Sequence, residues 1–520
     1  MLNKRLISKV IGSLLLLEAV FMTLCVASAL FYHSADLLPF ILSTAITAVA
    51  GVGLLRFGIG APTTMSRRDA YVVVTLTWIS FSIFGSLPYL FGGFFGHISL
   101  LRPTSMWNVT TDAFFETMSG FTTTGASMLN DVEAQLEHHQ AMLFWRSLSQ
   151  WIGGLGIVFF TIAILPSMVG NSMKVFSAEA TGPIRSKMHP RLSSTAMRIW
   201  WVYIVLTIGC GICYALAGMD GFSAINYAMT TTATGGFSIH NDSITHFHAP
   251  AIEYIAIIFQ YLSGINFSML FMVAVMRRIK WGKEWRNSLK EFSRNERSKW
   301  HDFLHNEEWR FYTLLVVASS IVIAVILIFH NGYPLEEALR KSTFHVVSMM
   351  TTTGIFSDHV GTWPHITWML LYALMFIGAC SGSTTGGFKS SRALMVLKLI
   401  RNEFIHMMHP RAVLPIKLNG KAIPSSLVHS LMASFAVYIL ACLGTMALMM
   451  AANHDVTNSA IISISCISNV GLSLSELGPD MTWSSLPIYL KWVCTALMLL
   501  GRLEIFNVLI LFTTPFWKDN

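Results

Sequence analysis

The sequence predicts an all-α, polytopic membrane protein, and three observations indicate this: its composition, its long apolar runs and the placement of its basic residues. Of its 520 residues, 53% are hydrophobic and 12% are charged, whereas about 25% are charged in a typical soluble domain. A helix needs about 20 mostly apolar residues to cross a bilayer. Ten runs approach that length and predict spanning helices: Leu14–Leu30, Leu37–Leu55, Tyr71–Gly92, Leu148–Leu165, Ile199–Ala217, Ile252–Met276, Phe311–Phe329, Ile366–Ala379, Leu427–Met450 and Leu486–Phe516.

Lysine and arginine are concentrated in alternate loops. Five segments, residues 1–9, 56–68, 174–198, 277–310 and 389–421, hold 28 of the 35 basic residues. Basic loops stay on the cytoplasmic side of a membrane, so this alternation predicts that both termini are cytoplasmic and that the number of crossings is even. The net charge of +8 follows from this topology, and no nucleic-acid partner is predicted.

A polar turn rich in threonine and glycine recurs four times. The stretches are Gly120–Ser127 (GFTTTGAS), Thr231–Ser238 (TTATGGFS), Thr351–Ser357 (TTTGIFS) and Ser468–Ser473 (SNVGLS). Their glycines, Gly125, Gly235, Gly354 and Gly471, are 110, 119 and 117 residues apart. Such regular spacing predicts four copies of one structural unit.

A partly apolar segment precedes each turn, and most of these segments are too short to cross a bilayer. They are Asp112–Met118, Phe222–Met229, Leu335–Met350 and Val456–Ile467. Residues typical of helix starts precede or open them: Thr111 and Asp112, Asp220, Pro334 and Asp455. Each copy is therefore predicted to contain a spanning helix, a half-helix that enters from outside, the Thr/Gly turn and a second spanning helix.

The four turns would lie at membrane depth, where irregular backbone is tolerated only if protein buries it or if it lines a water-filled path. Glycine permits positive φ at little cost, so successive carbonyl oxygens can point toward a shared axis. Rings of carbonyl oxygens can replace the water shell of a monovalent cation. The partly negative C-terminal ends of four half-helices also favour a cation there. The turns are therefore predicted to form an ion selectivity filter.

Two further features predict a gate. In Gly378–Ser391 (GACSGSTTGGFKSS), twelve of the fourteen residues are Gly, Ala, Ser, Thr or Cys, and each glycine costs a helix about 1 kcal/mol relative to alanine. The segment is either an unwound loop beneath the filter or a small-residue packing surface. Arg502 lies within the last apolar run, where arginine is costly unless it faces protein or water. Lys389, within this segment, is a second basic candidate.

Further motifs carry a family resemblance. They are QWIGGLGI (Gln150–Ile157), SGINF (Ser263–Phe267), SGSTTGGFK (Ser381–Lys389) and GRLEIF (Gly501–Phe506). With the four turns, they make the chain resemble the Trk/Ktr/HKT superfamily of potassium transporters, and within it the bacterial Trk-type transmembrane subunits, from Arg67–Asp69 to the C-terminus. The resemblance implies four helix–pore-loop–helix repeats in pseudo-fourfold arrangement around one pore, after two extra N-terminal helices.

The resemblance also implies which residues act. Filter carbonyls that bind K+ would belong to Thr122, Thr123, Thr124, Gly125, Thr232, Ala233, Thr234, Gly235, Thr351, Thr352, Thr353, Gly354, Ser468, Asn469, Val470 and Gly471. The gate would comprise Gly382, Ser383, Thr384, Thr385, Gly386, Gly387, Lys389 and Arg502. Relatives with serine at the first filter glycine admit sodium, so Gly125 favours potassium. Asn469 and Val470 depart from the threonines of the other copies, which makes the symmetry approximate.

On this basis we expect a multi-pass protein of the bacterial inner membrane that takes up potassium through the filter. The gate loop and a cytoplasmic regulatory subunit would control this uptake. The partners implied are a second copy in a homodimer, the bilayer and an RCK-type (TrkA-like) subunit. K+ would be the transported ion, no covalent cofactor is expected, and the RCK-type subunit rather than this chain would bind the nucleotide.

The expected organisation divides the chain into six segments. They are residues 1–66 (two N-terminal helices), 67–170 (repeat 1), 171–276 (repeat 2), 277–309 (basic cytoplasmic loop), 310–402 (repeat 3, with the gate loop 378–391) and 403–520 (repeat 4).

Two other functions remain open from the sequence. A K+/H+ or K+/Na+ symporter can use the same scaffold, although Glu116 and Glu476, the acids nearest the filter, more plausibly brace pore segments. A membrane enzyme with histidine-held metal or haem would need paired intramembrane histidines, and only His345 clearly lies at depth. Outer-loop histidines such as His246 and His248 are expected to be solvated, so potassium at the filter is the only metal predicted.

Overall fold

The computed structural model describes residues 2–62, 65–96, 103–156, 192–275, 303–471 and 483–518. Within these ranges almost all regular structure is helical, which confirms the predicted all-α class. Two short strands, Lys417–Leu418 and Lys421–Ala422, pair in an antiparallel hairpin between two helices.

Four units of three helices follow two N-terminal helices, Lys4–Phe31 and Leu37–Phe57. In each unit a first helix is followed by a half-helix and then by a return helix. Unit 1 consists of Arg67–Gly85, Pro103–Phe121 and Gln140–Gly154. Unit 2 consists of Leu192–Leu216, Gly221–Ala233 and Pro250–Ser263. Unit 3 consists of Glu307–Ile326, Leu335–Met350 and His365–Ile377. Unit 4 consists of Ser425–Ala451, Val456–Ser468 and Ile488–Arg502.

The remaining described helices are shorter or lie between the units. The α-helices are Leu87–Phe91, Phe267–Val275, Ser390–Met408, Phe506–Leu509 and Thr514–Trp517. Single turns of 3₁₀-helix occupy Glu133–Gln135, Ser243–Phe247, Val360–Thr362, Trp483–Ser485 and Ile510–Phe512. A π-helical turn, Leu327–Asn331, extends the first helix of unit 3. The predicted boundary after residue 170 and most of the predicted basic loop 277–309 lie outside the described residues.

The two N-terminal helices form a close hairpin that packs against unit 1. A Cβ atom on Gly12 would lie 2.7 Å from the Gly51 carbonyl oxygen, so glycine lets the two backbones approach closely where they meet. The backbone N–H of Asn3 donates a hydrogen bond to the Asp69 carboxylate (2.9 Å). This bond links the start of the hairpin to the first helix of unit 1.

The half-helices begin largely as predicted. Asp220 and Asp455 are N-caps whose carboxylates accept from the backbone N–H groups of Ser223 (3.0 Å) and Thr457 (2.9 Å). The bond from Thr457 holds the pKa of the Asp455 carboxyl below its usual value, as expected for an anion at a helix N-terminus.

The predicted start at Thr111 and Asp112 is wrong. The half-helix of unit 1 begins earlier, at Pro103, and Asp112 lies within it. Its carboxylate instead forms an ion pair with Lys491 in the return helix of unit 4 (2.6 Å), a contact between residues far apart in the sequence.

Within the described ranges, fewer helices are long enough to span alone than the ten runs predicted. Among the described residues, six are long and apolar enough to cross a membrane, and the pair Ile488–Arg502 and Phe506–Phe512, bent by 108°, makes a seventh. The return helices of units 1 to 3 have only 15, 14 and 13 residues, below the length of about 20 that a full crossing needs. Their apolar runs continue past the helix ends, which is why hydropathy alone predicted more full spans.

The four units close into a ring. Each half-helix of units 2, 3 and 4 packs on the return helix of the preceding unit, and the half-helix of unit 1 packs on the return helix of unit 4. Because the last unit contacts the first in the same way that neighbours contact each other, the ends of the four half-helices converge on one axis.

Candidate functional site

Each half-helix ends in a turn with the same unusual backbone. A non-glycine residue with positive φ is followed two positions later by a glycine with positive φ, a conformation that glycine adopts readily and threonine seldom does. The pairs are Thr123 with Gly125, Thr234 with Gly236, Thr352 with Gly354, and Asn469 with Gly471. We call the four turns the filter and the four non-glycine residues the base ring.

The four turns touch one another in a closed cycle. A Cβ atom added to the glycine of one turn would collide with a carbonyl oxygen of the next turn. The contacts are Gly125 with the Gly235 oxygen, Gly236 with the Thr353 oxygen, Gly354 with the Val470 oxygen, and Gly471 with the Thr124 oxygen. Glycine is therefore required at these positions by the packing between units as well as by the backbone conformation.

This cycle corrects the predicted register of unit 2. The sequence prediction placed Gly235 opposite Gly125, Gly354 and Gly471, but Gly236 is the residue with positive φ. The structural equivalents of Thr122–Gly125 are therefore Ala233–Gly236, and Thr232 lies one position before them. The Thr232 hydroxyl bonds to the Ala228 carbonyl (2.8 Å) and to Thr207 (2.9 Å), within unit 2.

Gln150 explains why unit 2 has two consecutive glycines. A Cβ atom on Gly235 would overlap the Gln150 side chain, which occupies the space that a threonine or valine side chain fills in the other units. The Gln150 amide donates to the Gly235 carbonyl (2.6 Å) and accepts from the Phe237 N–H (3.1 Å). Gln150 thus holds the turn of unit 2 from the return helix of unit 1, a role that the sequence did not reveal.

Some threonine hydroxyls at the ends of the half-helices bond within their own units. The Thr122 hydroxyl bonds to the Met118 carbonyl (2.7 Å) and to the Thr124 hydroxyl (2.8 Å). In unit 3, the Thr351 hydroxyl bonds to the Val347 carbonyl (2.7 Å) and to Thr353 (2.7 Å). These bonds fix the ends of the half-helices of units 1 and 3 while they satisfy buried hydroxyls.

Buried ion pairs brace the chain that leaves the filter. Glu116 accepts from Arg146 (2.9 Å), from the Met128 N–H (2.7 Å) and from the Ser127 hydroxyl (3.0 Å). Arg146 also donates to the Ser238 carbonyl of unit 2 (2.9 Å). Glu116 is thus a bracing residue, as the sequence analysis favoured. Glu476, named with it there, lies outside the described residues.

Two further pairs join neighbouring units. Arg340 in the half-helix of unit 3 pairs with Glu253 in the return helix of unit 2 (2.5 Å), and Lys491 of unit 4 pairs with Asp112 of unit 1 (2.6 Å). Removing one partner from such a buried pair leaves an uncompensated charge and typically costs about 3–5 kcal/mol. These pairs therefore hold the half-helices in position around the axis.

The predicted gate loop is unwound. The return helix of unit 3 ends at Ile377 and the next helix begins at Ser390. The Ser390 N–H donates to the Ala379 carbonyl (3.0 Å) and the Phe388 N–H donates to the Phe376 carbonyl (3.1 Å). Both ends of the segment therefore lie side by side, and residues 378–389 project as a largely buried loop.

The tip of the gate loop contacts the filter. Thr384 donates to the Thr232 carbonyl (3.2 Å) and accepts from the Thr234 hydroxyl (3.2 Å). The Gly386 N–H donates to the Thr352 hydroxyl (2.7 Å), and a Cβ atom on Gly386 would collide with the Ser468 carbonyl. The loop therefore touches units 2, 3 and 4 at or beside the base ring.

Arg502 completes these contacts at unit 1. Its guanidinium donates to the Thr123 hydroxyl (3.1 Å), to the Thr384 carbonyl of the gate loop (2.8 Å) and to the carbonyls of Gly153 and Gly154, the latter at 2.7 Å. The nearby carboxylate of Glu504 forms an ion pair with Arg392 (2.6 Å). A positive charge therefore lies against the base ring.

Lys389 has a different environment from Arg502. Its ammonium donates to the carbonyl of Thr385 and to the Thr385 hydroxyl (3.1 Å), and its own backbone has positive φ. The side chain thus fastens the gate loop to its own stem. Ser383 adds to this internal support through a bond to Thr385 (2.8 Å), while Gly387 packs on Gly378.

Two residues that the sequence analysis did not single out anchor the start of the loop. The Ser381 N–H donates to the buried carboxylate of Glu308 (2.5 Å), and the Asn266 amide donates to the Ser381 carbonyl (2.7 Å). The Phe267 N–H donates to the Gly382 carbonyl (3.0 Å). Glu308 was missed because an acid in the first turn of a helix is ordinary. Asn266 lies in the quoted motif SGINF, but nothing in the sequence pointed to its partner.

Four similar units that close around one axis within a set of apolar helices are the arrangement expected of a membrane transport protein. A family model, TrkH, described as a cation transport protein, matches residues 39–519. The chain therefore belongs to the TrkH family of cation transport proteins. Family membership confirms the resemblance predicted from the motifs, and cation transport rather than catalysis is the activity of this family, so the enzyme alternative is set aside.

Relatives of this family match nearly the whole chain. The chain is 33% identical to the Trk system potassium uptake protein TrkH of Halomonas elongata over 523 residues, which covers 99% of this chain and 100% of the relative. It is 31% identical to the Trk system potassium uptake protein TrkG of Escherichia coli K12 over 518 residues, 99% of each. The crystal structure of the potassium transporter TrkH from Vibrio parahaemolyticus superposes with a TM-score of 0.83, at 30% identity over 99% of both chains.

The corrected register of unit 2 can be tested with two alanine substitutions in two backgrounds. Gly235→Ala should lower the unfolding temperature of the wild-type protein, because the new Cβ meets the Gln150 side chain. In a Gln150→Ala background, Gly235→Ala should lower the unfolding temperature much less, because the space that the new Cβ atom needs is no longer occupied by the glutamine side chain. Gly236→Ala meets the Thr353 carbonyl instead, so its cost should be similar in both backgrounds.

Unfolding temperatures of the four variants and of the two parent proteins, measured in detergent with K+, give the interaction energy between the paired sites. Coupling between contacting residues is typically about 0.5–3 kcal/mol. The register assigned above is wrong if Gln150→Ala reduces the loss of unfolding temperature caused by Gly236→Ala and does not reduce the loss caused by Gly235→Ala.

Proposed function

We propose that this chain takes up potassium across the bacterial inner membrane through the filter. The observation that carries the proposal is the closed cycle of four turns, in which each glycine abuts a carbonyl oxygen of the next unit. Positive φ at alternate residues lets successive carbonyl oxygens face the same side of the chain. Four such chains can present stacked rings of oxygen ligands to a cation that has shed its water.

The surroundings of the filter favour a monovalent cation. Each half-helix directs its C-terminus, the partly negative end of its dipole, at the axis. The carboxylate of Glu116, behind the turn of unit 1, is already paired with Arg146, so oxygen dipoles rather than this net charge would hold the ion. The names of the relatives, which specify potassium uptake, agree with K+ as the ion.

The gate loop and Arg502 are proposed to close the path on the base-ring side of the filter. Residues 384–386 and the guanidinium of Arg502 contact all four units. A cation that leaves the filter would meet both a steric block and a like charge. In this proposal, transport requires the loop and Arg502 to withdraw from the base ring.

A cytoplasmic partner is proposed to move the gate loop. The helix Ser390–Met408 continues directly from the loop and ends in exposed apolar side chains, including Phe404, Met407 and Met408. Such a patch is typical of an interaction surface. An RCK-type, TrkA-like subunit that binds the nucleotide fits the "Trk system" naming of the relatives. Both termini are expected in the cytoplasm. The family resemblance also implies a homodimer.

A K+/H+ symporter is the second candidate, and Glu18 is the observation that favours it. Its side chain is fully buried in the first N-terminal helix, and neither carboxylate oxygen has a hydrogen-bond partner among the described residues. A buried carboxyl without a partner is stable as the neutral acid, so Glu18 is a group that a coupled transporter could titrate. A Cβ atom on Gly85 would meet Glu18, Thr117 and Phe121 together, so the carboxyl lies near the end of the half-helix of unit 1.

Rescue of a potassium-uptake-deficient bacterium at low K+ tests the function directly. We expect growth with the wild-type chain, and more with an RCK-type subunit than without it. Gly125→Ser should weaken discrimination against Na+, because the new side chain displaces the Gly235 carbonyl from its ring. The control Gly361→Ser, where no atom lies within 4 Å of the added Cβ, should keep wild-type selectivity. Unchanged K+/Na+ selectivity in Gly125→Ser would contradict the filter assignment.

Arg502→Ala tests the gate. Without the regulatory subunit, we expect K+ flux to rise about tenfold, which corresponds to a barrier lower by about 1.4 kcal/mol, because a like charge is removed from the ion path. Arg502→Lys should stay near wild type, since the charge remains. Fluxes are measured in proteoliposomes, and equal flux in wild type and Arg502→Ala would show that Arg502 does not gate.

Reversal potentials separate the pore from the symporter. We expect them to follow the K+ gradient alone at two external pH values, in the wild type and in Glu18→Gln. If the reversal potential of the wild type instead changes between the two pH values, and Glu18→Gln abolishes this change, the symporter is established. The glutamine has nearly the shape of the neutral acid but cannot carry a proton, so it separates titration from packing.

A further inference from the structure

A cluster of metal-ligating side chains lies outside the filter and gate, on the loops that follow the first two turns. Glu133 belongs to the loop after the turn of unit 1, and His240 and His246 belong to the loop after the turn of unit 2. The Nδ1 atoms of His240 and His246 lie 3.2 and 3.5 Å from the same Glu133 Oε1 atom. The two imidazole rings are parallel, with centroids 3.7 Å apart.

The spacing of these three atoms fits one metal ion. A tetrahedral zinc ion with bonds of about 2.0–2.1 Å keeps its ligand atoms about 3.3 Å apart. The two distances from the Glu133 oxygen to the histidine nitrogens match this separation between ligand atoms. All three ligand atoms lie within 4.8 Å of one another. The same oxygen also accepts from the Asn241 N–H (3.3 Å). Because the two rings are parallel, binding of one ion by both Nδ1 atoms requires the exposed ring of His246 to turn toward it.

The loops that carry the ligands are held in position by other bonds. The Val132 N–H donates to the Asn241 side chain (2.9 Å), and the Asn241 amide donates to Asp131 (3.0 Å). Tyr227 bonds to the Ser238 hydroxyl (2.6 Å), which accepts in turn from the His240 N–H (3.0 Å). The ligands therefore stand on a framework that does not itself depend on a metal.

Solvent can reach the cluster from one side. The side chains of Glu133 and His246 are 37% and 43% exposed, whereas that of His240 is 10% exposed. Three protein ligands and one open side are typical of a site that keeps a water on the ion and exchanges it.

We propose that Glu133, His240 and His246 bind one exchangeable divalent transition-metal ion of the zinc class. The bound ion joins the loop of unit 1 to the loop of unit 2 on the side of the filter where the half-helices begin. Nitrogen ligands select zinc over magnesium and calcium, which prefer all-oxygen sites. The site was not predicted, because His240 is 107 positions from Glu133 and the sequence shows no ligand spacing.

The test is titration of the full-length protein, purified in detergent and stripped with a chelator, with ZnCl₂ in a calorimeter. We expect one saturable zinc ion per chain at this site, and an affinity at least tenfold weaker in His246→Ala and in Glu133→Gln. Excess MgCl₂ should not compete. Zinc should also raise the unfolding temperature of the wild type, because a ligand that binds the folded state stabilises it.

Matched controls lie in the same two loops. His248→Ala and Glu137→Gln remove an exposed histidine and an exposed acid that are not in the cluster, and both should bind zinc like the wild type. Unfolding temperatures without zinc show whether each variant is folded. The proposal is overturned if the wild type binds no zinc, or if folded His246→Ala and Glu133→Gln bind it as tightly as the controls. Binding to the purified chain does not depend on transport, so this result is independent of the proposed function.

Discussion

The contact between each filter glycine and a carbonyl oxygen of the neighbouring unit is the constraint on which the rest of the structure depends. No side chain fits there, so the four backbones themselves form the wall of the filter. Backbone cannot be left irregular at membrane depth unless protein supports it. The half-helices, the Gln150 bridge and the buried pairs such as Arg146 with Glu116 meet that requirement from behind the turns.

Repetition and composition made the general architecture predictable from the sequence. Four Thr/Gly turns at similar spacing indicated four units, and the caps Asp220 and Asp455 marked two half-helix starts correctly. Unit 2 was misaligned by one residue because TGG offers two glycines. The choice between them is made by Gln150, 85 residues away in the chain, and by the turn of unit 3. Local sequence carries no information about either neighbour.

The loop proposed as the gate shows the same division between local and distant information. An unwound small-residue segment and a buried arginine are local signals, and both were visible. The anchors of the loop were not, because Glu308 and Asn266 have ordinary local contexts and acquire their role only through Ser381. Likewise, Asp112 reads as a helix start but serves as the partner of Lys491. A side chain whose partner lies in another unit is the kind of feature that a single sequence conceals.

Closure of the ring between unit 4 and unit 1 has a consequence for biosynthesis. The chain emerges from the ribosome N-terminus first, so unit 1 enters the bilayer long before its neighbour in unit 4 exists. Until the last spanning segment leaves the translocon, Asp112 lacks Lys491 and the Thr124 carbonyl lacks Gly471. The nascent protein must therefore tolerate a gap between unit 1 and the site of unit 4 that is lined by polar groups. Insertion of the C-terminal segment closes this gap.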